Sequence, residues 1–237
     1  MSNNYEQLKE RVCKANKLLP RNNLSLFSWG SVSAIDREQG VMVIKPTGAS
    51  FDKLTAKVMS VVDLSGKLIE GSPPSIDTPA HLELYRSFPL VGGIAHTHSK
   101  WATIMAQIGL DIPVLGAVHA EYFYGDIPCT KQLTNEQIHK DYSRETGLQI
   151  VRALYEKKLT PERVGACLVA SHGPFTWGAT ELVAIQNAIV LEEVAMAAWH
   201  TMQVPFKVGR IPQTMLDEHF FTRNSKQTPM GEVPEVV

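Results

Sequence analysis

The sequence predicts a layered α/β or α+β domain. Segments with the alternation of strands and segments with helical spacing follow one another along the whole chain, and no internal repeat groups them. Composition agrees with this. At 237 residues, 44% hydrophobic and 20% charged, the chain is long and apolar enough to enclose a core, and no stretch is biased toward low complexity. Strand order stays open at this level.

The elements read as follows. Leu8, Val12, Ala15, Leu18 and Leu19 recur at helical spacing, so a first helix is expected, ended by Pro20, which lacks the N–H a helix needs. Residues 24–46 hold two short apolar runs, LFSWGSVSAID and GVMVIKP, separated by the polar turn DREQG, the pattern of a hairpin. KVMSVVDL reads as a further strand, turning at Ser65-Gly66 into KLIEG. After SPPSID, Thr78 is the expected N-cap of a second helix, with Pro79 at its first position. LVGGIAHTH reads as a strand and SKWATIMAQIG as a helix stopped by Gly109. Residues 135–157 read as a helix opened by a Thr134–Gln137 capping box. ACLVASHG reads as a strand ended by a turn at Gly173-Pro174, and a long helix follows from Glu181.

Charge and cysteine content narrow the class. The formal net charge of −1, with Lys and Arg scattered, offers no footprint for nucleic acid or an anionic membrane, so a small ligand is the expected partner. Cys13, Cys129 and Cys167 are odd in number and form no CxxC pair, which fits a reducing cytoplasm. The N-terminus is polar and helical in pattern, without the apolar core of a signal peptide. Residues 182–202 are the most apolar long stretch, but Gln186, Asn187, Glu192 and Glu193 in the middle mark a buried soluble helix rather than a membrane span.

His96 and His98 end a predicted strand, where residues two apart point to one side, so both imidazoles can reach one metal ion. His172 lies at the end of another predicted strand. Three histidines at two strand ends match a catalytic zinc site, which takes three protein ligands and keeps a position open, and manganese or cobalt suit such a set too. Asp77, before the second helix, is a candidate fourth ligand or acid-base group; otherwise it is a helix-start carboxylate favoured by the dipole. Lys45-Pro46-Thr47-Gly48 is either an ordinary hairpin end or a turn whose amides face an anion, with Ser75 at the helix mouth able to join it. His119 and Glu121 sit among the aromatics of HAEYFYG, where a dry setting would raise Glu121 toward a general base, unless the run is simply core. His81, His139 and His200 lie in helical patterns and are given no role.

The blocks SWGSVSAID, IKPTG, SIDTPAH, GGIAHTHS, HAEYFYGDIPC, SHGPFTWG and LDEHF resemble, in order, those of the L-ribulose-5-phosphate 4-epimerases of the class II aldolase/adducin superfamily. The resemblance runs from about residue 5 to residue 225. It implies a three-layer α/β/α fold with a central, mainly antiparallel sheet, one domain over residues 1–237 with a mobile tail from about 225, and a homotetramer with active sites at subunit interfaces. It further implies zinc held by His96, His98 and His172 with Asp77 beside it, and a sugar phosphate held around Ser31, Lys45, Thr47, Gly48 and Ser75. The implied chemistry is a retro-aldol and aldol sequence in which the C3–C4 bond of L-ribulose 5-phosphate breaks and re-forms with C4 inverted, giving D-xylulose 5-phosphate. Departures from the epimerase pattern are specific. Glu121 replaces the acid-base aspartate, Ser31 replaces the asparagine of the phosphate loop, Ile76 replaces a serine and Ala117-Val118 replace two threonines. The C-terminal tyrosine that serves as second acid-base group is missing, Met230 standing near its place, and His119 or His219 are the candidates to substitute. An aldolase or lyase acting on another phosphorylated or acidic ketose is the second expectation. A non-catalytic adducin-like binding module is the third.

Overall fold

The computed structural model describes residues 5–225. Among these, seven strands form one antiparallel sheet: β1 (Ser31–Asp36), β2 (Val41–Ile44), β3 (Ser60–Asp63), β4 (Leu68–Glu70), β5 (Gly93–His96), β6 (Ala166–Val169) and β7 (Gly173–Gly178). Their spatial order is β4-β3-β2-β1-β5-β7-β6. The helices are α1 (Glu6–Arg21), α2 (Thr78–Ser87), α3 (Lys100–Ile108), α4 (Ala117–Tyr122), α5 (Asn135–Glu156), α6 (Pro161–Val164), α7 (Glu181–Met202) and α8 (Gln213–Ser225).

Both faces of the sheet are covered, and the strand period of two sorts the side chains between them. Val41 and Val43 of β2 pack with Val12 and Leu19 of α1 and Ile185 of α7. Met42 and Ile44 turn to the other face, where they meet Leu84 and Tyr85 of α2 and Ile150 and Leu154 of α5. The result is the expected α/β/α arrangement. Because β2 is buried on both sides, its residues VMVI are apolar without alternation.

The apolar α7 is the one described helix long and apolar enough to cross a membrane, and the structure accounts for its composition by packing. It lies on β5 and β7 and also contacts α1, α3 and α4. The polar residues in its middle fasten neighbours: both oxygens of Glu192 accept the Trp101 and Ala102 amides that open α3 (2.9 and 3.0 Å), and Asn187 donates to the Trp177 carbonyl at 2.9 Å.

Four expectations need correction. Asp77, not Thr78, occupies the cap position of α2; Thr78 is the first helical residue, and its buried hydroxyl has no partner among the described residues. Pro20 falls inside the last turn of α1, where its missing N–H forfeits one backbone bond at most. Gly173 and Pro174 do not make a turn but begin β7, an unexpected strand; the turn comes earlier, at Ala170–His172, with Ser171 left-handed at φ 59°. The capping box of α5 is present, yet the helix breaks at Asp141 (φ −170°, ψ 89°) and restarts, Asp141 accepting the Arg144 amide at 3.0 Å. The tail beyond residue 225, Met230 included, lies outside the described residues.

One buried side chain joins the first helix to the sheet. Val32 precedes the β1–β2 ladder, which starts at Ser33, so its main-chain groups lack a strand partner on that side. Asn16 replaces the strand: its Oδ1 accepts from the Val32 amide at 2.8 Å, and its Nδ2 donates to the Val32 and Val12 carbonyls at 2.9 and 2.8 Å. Asn16→Ala strands both Val32 groups in the core and is expected to lower stability by about 2–4 kcal/mol. Urea unfolding checks this; an unshifted midpoint would show that the bridge contributes nothing net.

Candidate functional site

His96, His98 and His172 converge. Their ring centroids lie 4.8, 4.7 and 5.2 Å apart, and one donor nitrogen from each falls within 4.8 Å of the other two. His96 closes β5 and sits across the β5–β7 register from Phe175, on which its ring stacks at 4.2 Å. His98 follows in the loop before α3. His172 comes from the tight turn between β6 and β7, so the third ligand candidate leaves from a turn rather than a strand end. Close backbone approach makes the cluster possible: a Cβ on Gly173 would lie 2.8 Å from the Thr97 carbonyl oxygen, and one on Gly30 would lie 2.5 Å from that of His96.

The electrostatics suit a cation. Burial pushes the His98 imidazole down to about 4, helped by His96, and that of His172 to about 3, helped by His96 and His98. Both are therefore neutral at pH 7, the form that offers a lone pair to a metal. His96 Nδ1 donates to the Pro174 carbonyl at 3.0 Å, which leaves Nε2 as its free nitrogen, buried and without partner among the described residues. A buried acceptor left unpaired costs about 1–3 kcal/mol. A metal ion at the centre of the triad would satisfy it, so the residues fit the metal that the sequence suggests.

Asp77 stands beside the cluster but outside the triad's donor set. Its Oδ2 accepts hydroxyl protons from Ser31 and Ser75, both at 3.0 Å. Burial alone would raise its carboxyl, but His96, His81 and the two hydroxyls outweigh burial and hold it below the ordinary carboxylate range. Since Ser31 donates to Asp77, its oxygen is free to accept from His81 Nε2 (3.5 Å), which leaves His81 Nδ1 to accept from Ser33 at 2.7 Å. Tyr85 then donates to Ser33 at 2.9 Å. Every donor in this buried chain points toward the Asp77 carboxylate. Burial pushes His81 down to about 3, consistent with a neutral ring in this role.

Lys45, Thr47, Gly48, Ser75, Asp77, His98 and His172 line one cavity of about 430 Å³. Lys45 is buried, with Nζ 3.1 Å from the Ala49 carbonyl and 5.2 Å from the centre of the Phe51 ring; burial lowers its pKa against the pull of Asp77. In the Thr47-Gly48 turn the Thr47 amide is spent on Pro73, while the Gly48 amide (φ 65°) has no acceptor among the described residues. Ser75 spends its hydroxyl on Asp77. Ser31 stands behind Asp77 rather than in the cavity wall. Sequence reasoning missed Trp29, Tyr142, Ser143 and Thr146, which also line it; nothing in their local pattern marks them.

Three candidates lie elsewhere in the chain. Glu121 on α4 pairs with His219 on α8, Oε1 to Nδ1 3.6 Å. His119 is buried, its Nε2 donating to the Gly125 carbonyl at 2.9 Å and its Nδ1 unpartnered among the described residues. None of the three lines the triad's cavity.

The three-layer fold gathers the three imidazoles at one end of an antiparallel sheet, beside a cavity that Lys45 also lines. Residues 10–199 match the class II aldolase and adducin N-terminal domain family, and the chain belongs to that family. Similar solved structures include an L-fuculose 1-phosphate aldolase, 21% identical, with a TM-score of 0.80 over 92% of this chain and 96% of that one. YgbL from Klebsiella pneumoniae, a candidate aldolase/epimerase/decarboxylase, is 27% identical, with a TM-score of 0.71 over 90% and 97%. The L-fuculose 1-phosphate aldolase from Glaciozyma antarctica PI12 is 19% identical, with a TM-score of 0.73 over 93% and 81%. The two fucose-sugar aldolases establish likeness of fold.

His98→Ala is expected to abolish metal binding with the fold retained, checked by metal analysis and circular dichroism; wild-type metal content would remove His98 from the ligand set. A second prediction concerns acid stability. Burial lowers His119 to about 4, partly offset by its bond to Gly125. In the unfolded chain it titrates near about 6.5. As pH falls, the unfolded state takes up the proton first, so stability present above that value declines toward the folded one. The loss between neutral and mildly acid pH should be smaller in His119→Gln, measured by urea unfolding; equal losses would contradict the assignment.

Proposed function

We propose that the chain performs metal-dependent retro-aldol chemistry on a small phosphorylated ketose. The observation that carries this reading is the shared cavity: neutral imidazoles His98 and His172, the Asp77 carboxylate and the Lys45–Gly48 turn all face one space. A divalent ion, zinc before manganese or cobalt, would be held by His96 Nε2 and one ring nitrogen each of His98 and His172, and would supply Lewis-acid polarisation of the ketose carbonyl. Lys45, Thr47 and the Gly48 amide take the phosphate end. Asp77, oriented by Ser31 and Ser75, either completes the ligand set or accepts a proton from a substrate hydroxyl.

Cleavage between C3 and C4 needs a base at the C4 hydroxyl. Its proton leaves, the C4–O bond becomes a carbonyl, and the C3–C4 electron pair stays with the C3 fragment. We assign this base to Glu121, delivered by a second subunit of the homotetramer expected from the resemblance, whose active sites lie at subunit interfaces. Release of the aldehyde makes an aldolase, and one observation favours it. Ile76, 77% exposed at the cavity edge, stands where the resemblance expects a serine, and Glu121, His119 and His219 lie outside the cavity of their own chain.

The second reading is the L-ribulose-5-phosphate 4-epimerase. The Glu121–His219 pair supports it in that it supplies both a carboxylate and an imidazole for proton transfer, with the opposite face left to the groups of the cavity wall. A non-catalytic adducin-like module fits less well, because it has no use for three convergent imidazoles.

Zinc-loaded protein with L-ribulose 5-phosphate, followed by NMR, separates them: dihydroxyacetone and glycolaldehyde phosphate mark an aldolase, and D-xylulose 5-phosphate marks the epimerase. Inertness toward a panel of phosphorylated ketoses would overturn the proposal. Glu121→Gln is expected to leave metal content unchanged and slow turnover about 100-fold or more; full activity would remove Glu121 from the mechanism.

A further inference from the structure

Each imidazole of the triad uses its second nitrogen or an adjoining contact for support. For His96 the support is the Pro174 carbonyl, and for His98 it is the backbone of His172. His172 is different. It leaves from a three-residue turn that passes through left-handed Ser171, and its Nδ1 lies 3.2 Å from the Tyr142 hydroxyl on α5, across the cavity wall.

The break in α5 creates this contact. The segment after the Thr134 cap stops at Asp141, whose extended backbone and carboxylate start the helix again, so Tyr142 becomes the first residue of the restarted turn. Thr146 ties the same turn by donating to the Tyr142 carbonyl at 2.8 Å. Tyr142, Ser143 and Thr146 thereby line the cavity that holds His98 and His172. An unbroken helix would carry Tyr142 in a different direction.

We propose that Tyr142 is a positioning residue for the metal site: its hydroxyl accepts the Nδ1 proton of His172, fixes that ring's orientation and tautomer, and leaves Nε2 as the metal-facing nitrogen. This rests on the reading that the triad binds a metal. The physical reason is general. A ligand imidazole whose other nitrogen is held by an acceptor loses less rotational freedom on binding and keeps its lone pair aimed, and removing such a partner costs about 10–100-fold in metal affinity. Of the three supports, this is the one made by a side chain, so it is the one that substitution can remove cleanly.

The test uses zinc alone, without substrate, titrated against a chromogenic chelator in wild type, Tyr142→Phe and His98→Ala. Phenylalanine keeps the ring and its packing and removes the acceptor. Tyr142→Phe is expected to bind zinc about 10–100-fold more weakly, while its metal-free thermal midpoint stays that of wild type and the rise on adding zinc shrinks. Wild-type zinc affinity in Tyr142→Phe, with affinity lost in His98→Ala, would overturn the inference and spare the metal reading. Unchanged affinity in His98→Ala would overturn the metal reading itself. A lowered metal-free midpoint in Tyr142→Phe would assign the residue to packing and also overturn the inference.

Discussion

The site depends on how closely β7 runs beside β5. Their antiparallel register sets His96 opposite Phe175 and brings the Pro174 carbonyl to His96 Nδ1, so one strand pairing fixes the position and the tautomer of the deepest imidazole. That spacing tolerates no side chain at Gly173, and on the far side of β5 none at Gly30. With the strands this close, the turn that feeds β7 must deliver His172 within reach of His96, and the loop leaving β5 must deliver His98. The triad is thus a consequence of sheet geometry, with the glycines as its steric condition.

A second constraint runs at right angles to the sheet. The chain of donors from Tyr85 through Ser33, His81 and Ser31 ends on Asp77, linking the α2 layer to the carboxylate beside the triad. A half-buried carboxylate with too few partners would take up a proton, whereas His96, His81 and the two hydroxyls of Ser31 and Ser75 hold Asp77 below the ordinary carboxylate range. Such a network is sensitive to any missing member, since Tyr85, Ser33, His81 and Ser31 are all buried and the partner of a missing group would be left unpaired. His81, which carries no mark of function in its helical pattern, belongs to the site for this reason.

Much of this was legible in the residues. The helix of α1, the β1–β2 hairpin, the Thr134–Gln137 box and the Gly109 stop follow from local rules of spacing and capping, and the structure has them. The closeness of His96 and His98 in sequence pointed to the site, although β5 ends at His96 and it is the following loop, not the strand period, that brings His98 to it. What was not legible depends on contacts between distant segments. GPFTWG has a glycine, a proline and a bulky pair, which read as a turn; only pairing with β5 and β6 makes it a strand. Asn16 looks like an ordinary polar interruption of α1 until Val32 needs a partner. Tyr142 enters the cavity because α5 breaks at Asp141, and an aspartate within a long helical pattern does not announce a break. The grouping of Lys45, Thr47 and Gly48 with Asp77 rested on resemblance as much as on residues, and the cavity unites them.

The metal-side wall holds Asp77 and Lys45, whereas Glu121, His119 and His219 gather around α4 and α8, with Glu121 and His219 in mutual contact. Tyr124, just after α4, donates to Asp217 of α8 at 2.6 Å, and Arg163 of α6 lies over the Tyr124 ring, so α8 is tied to the segment that follows α4. A chain that needed only to hold a metal would have no reason to build two separate titratable clusters on fixed elements. Carbon–carbon cleavage does have one, because the ketone fragment is managed at the cation while the aldehyde fragment exchanges its proton some ångströms away. Under the proposed retro-aldol reading, the two halves of the reaction would be divided between these two surfaces, and a second copy of the chain would have to bring one surface to the other.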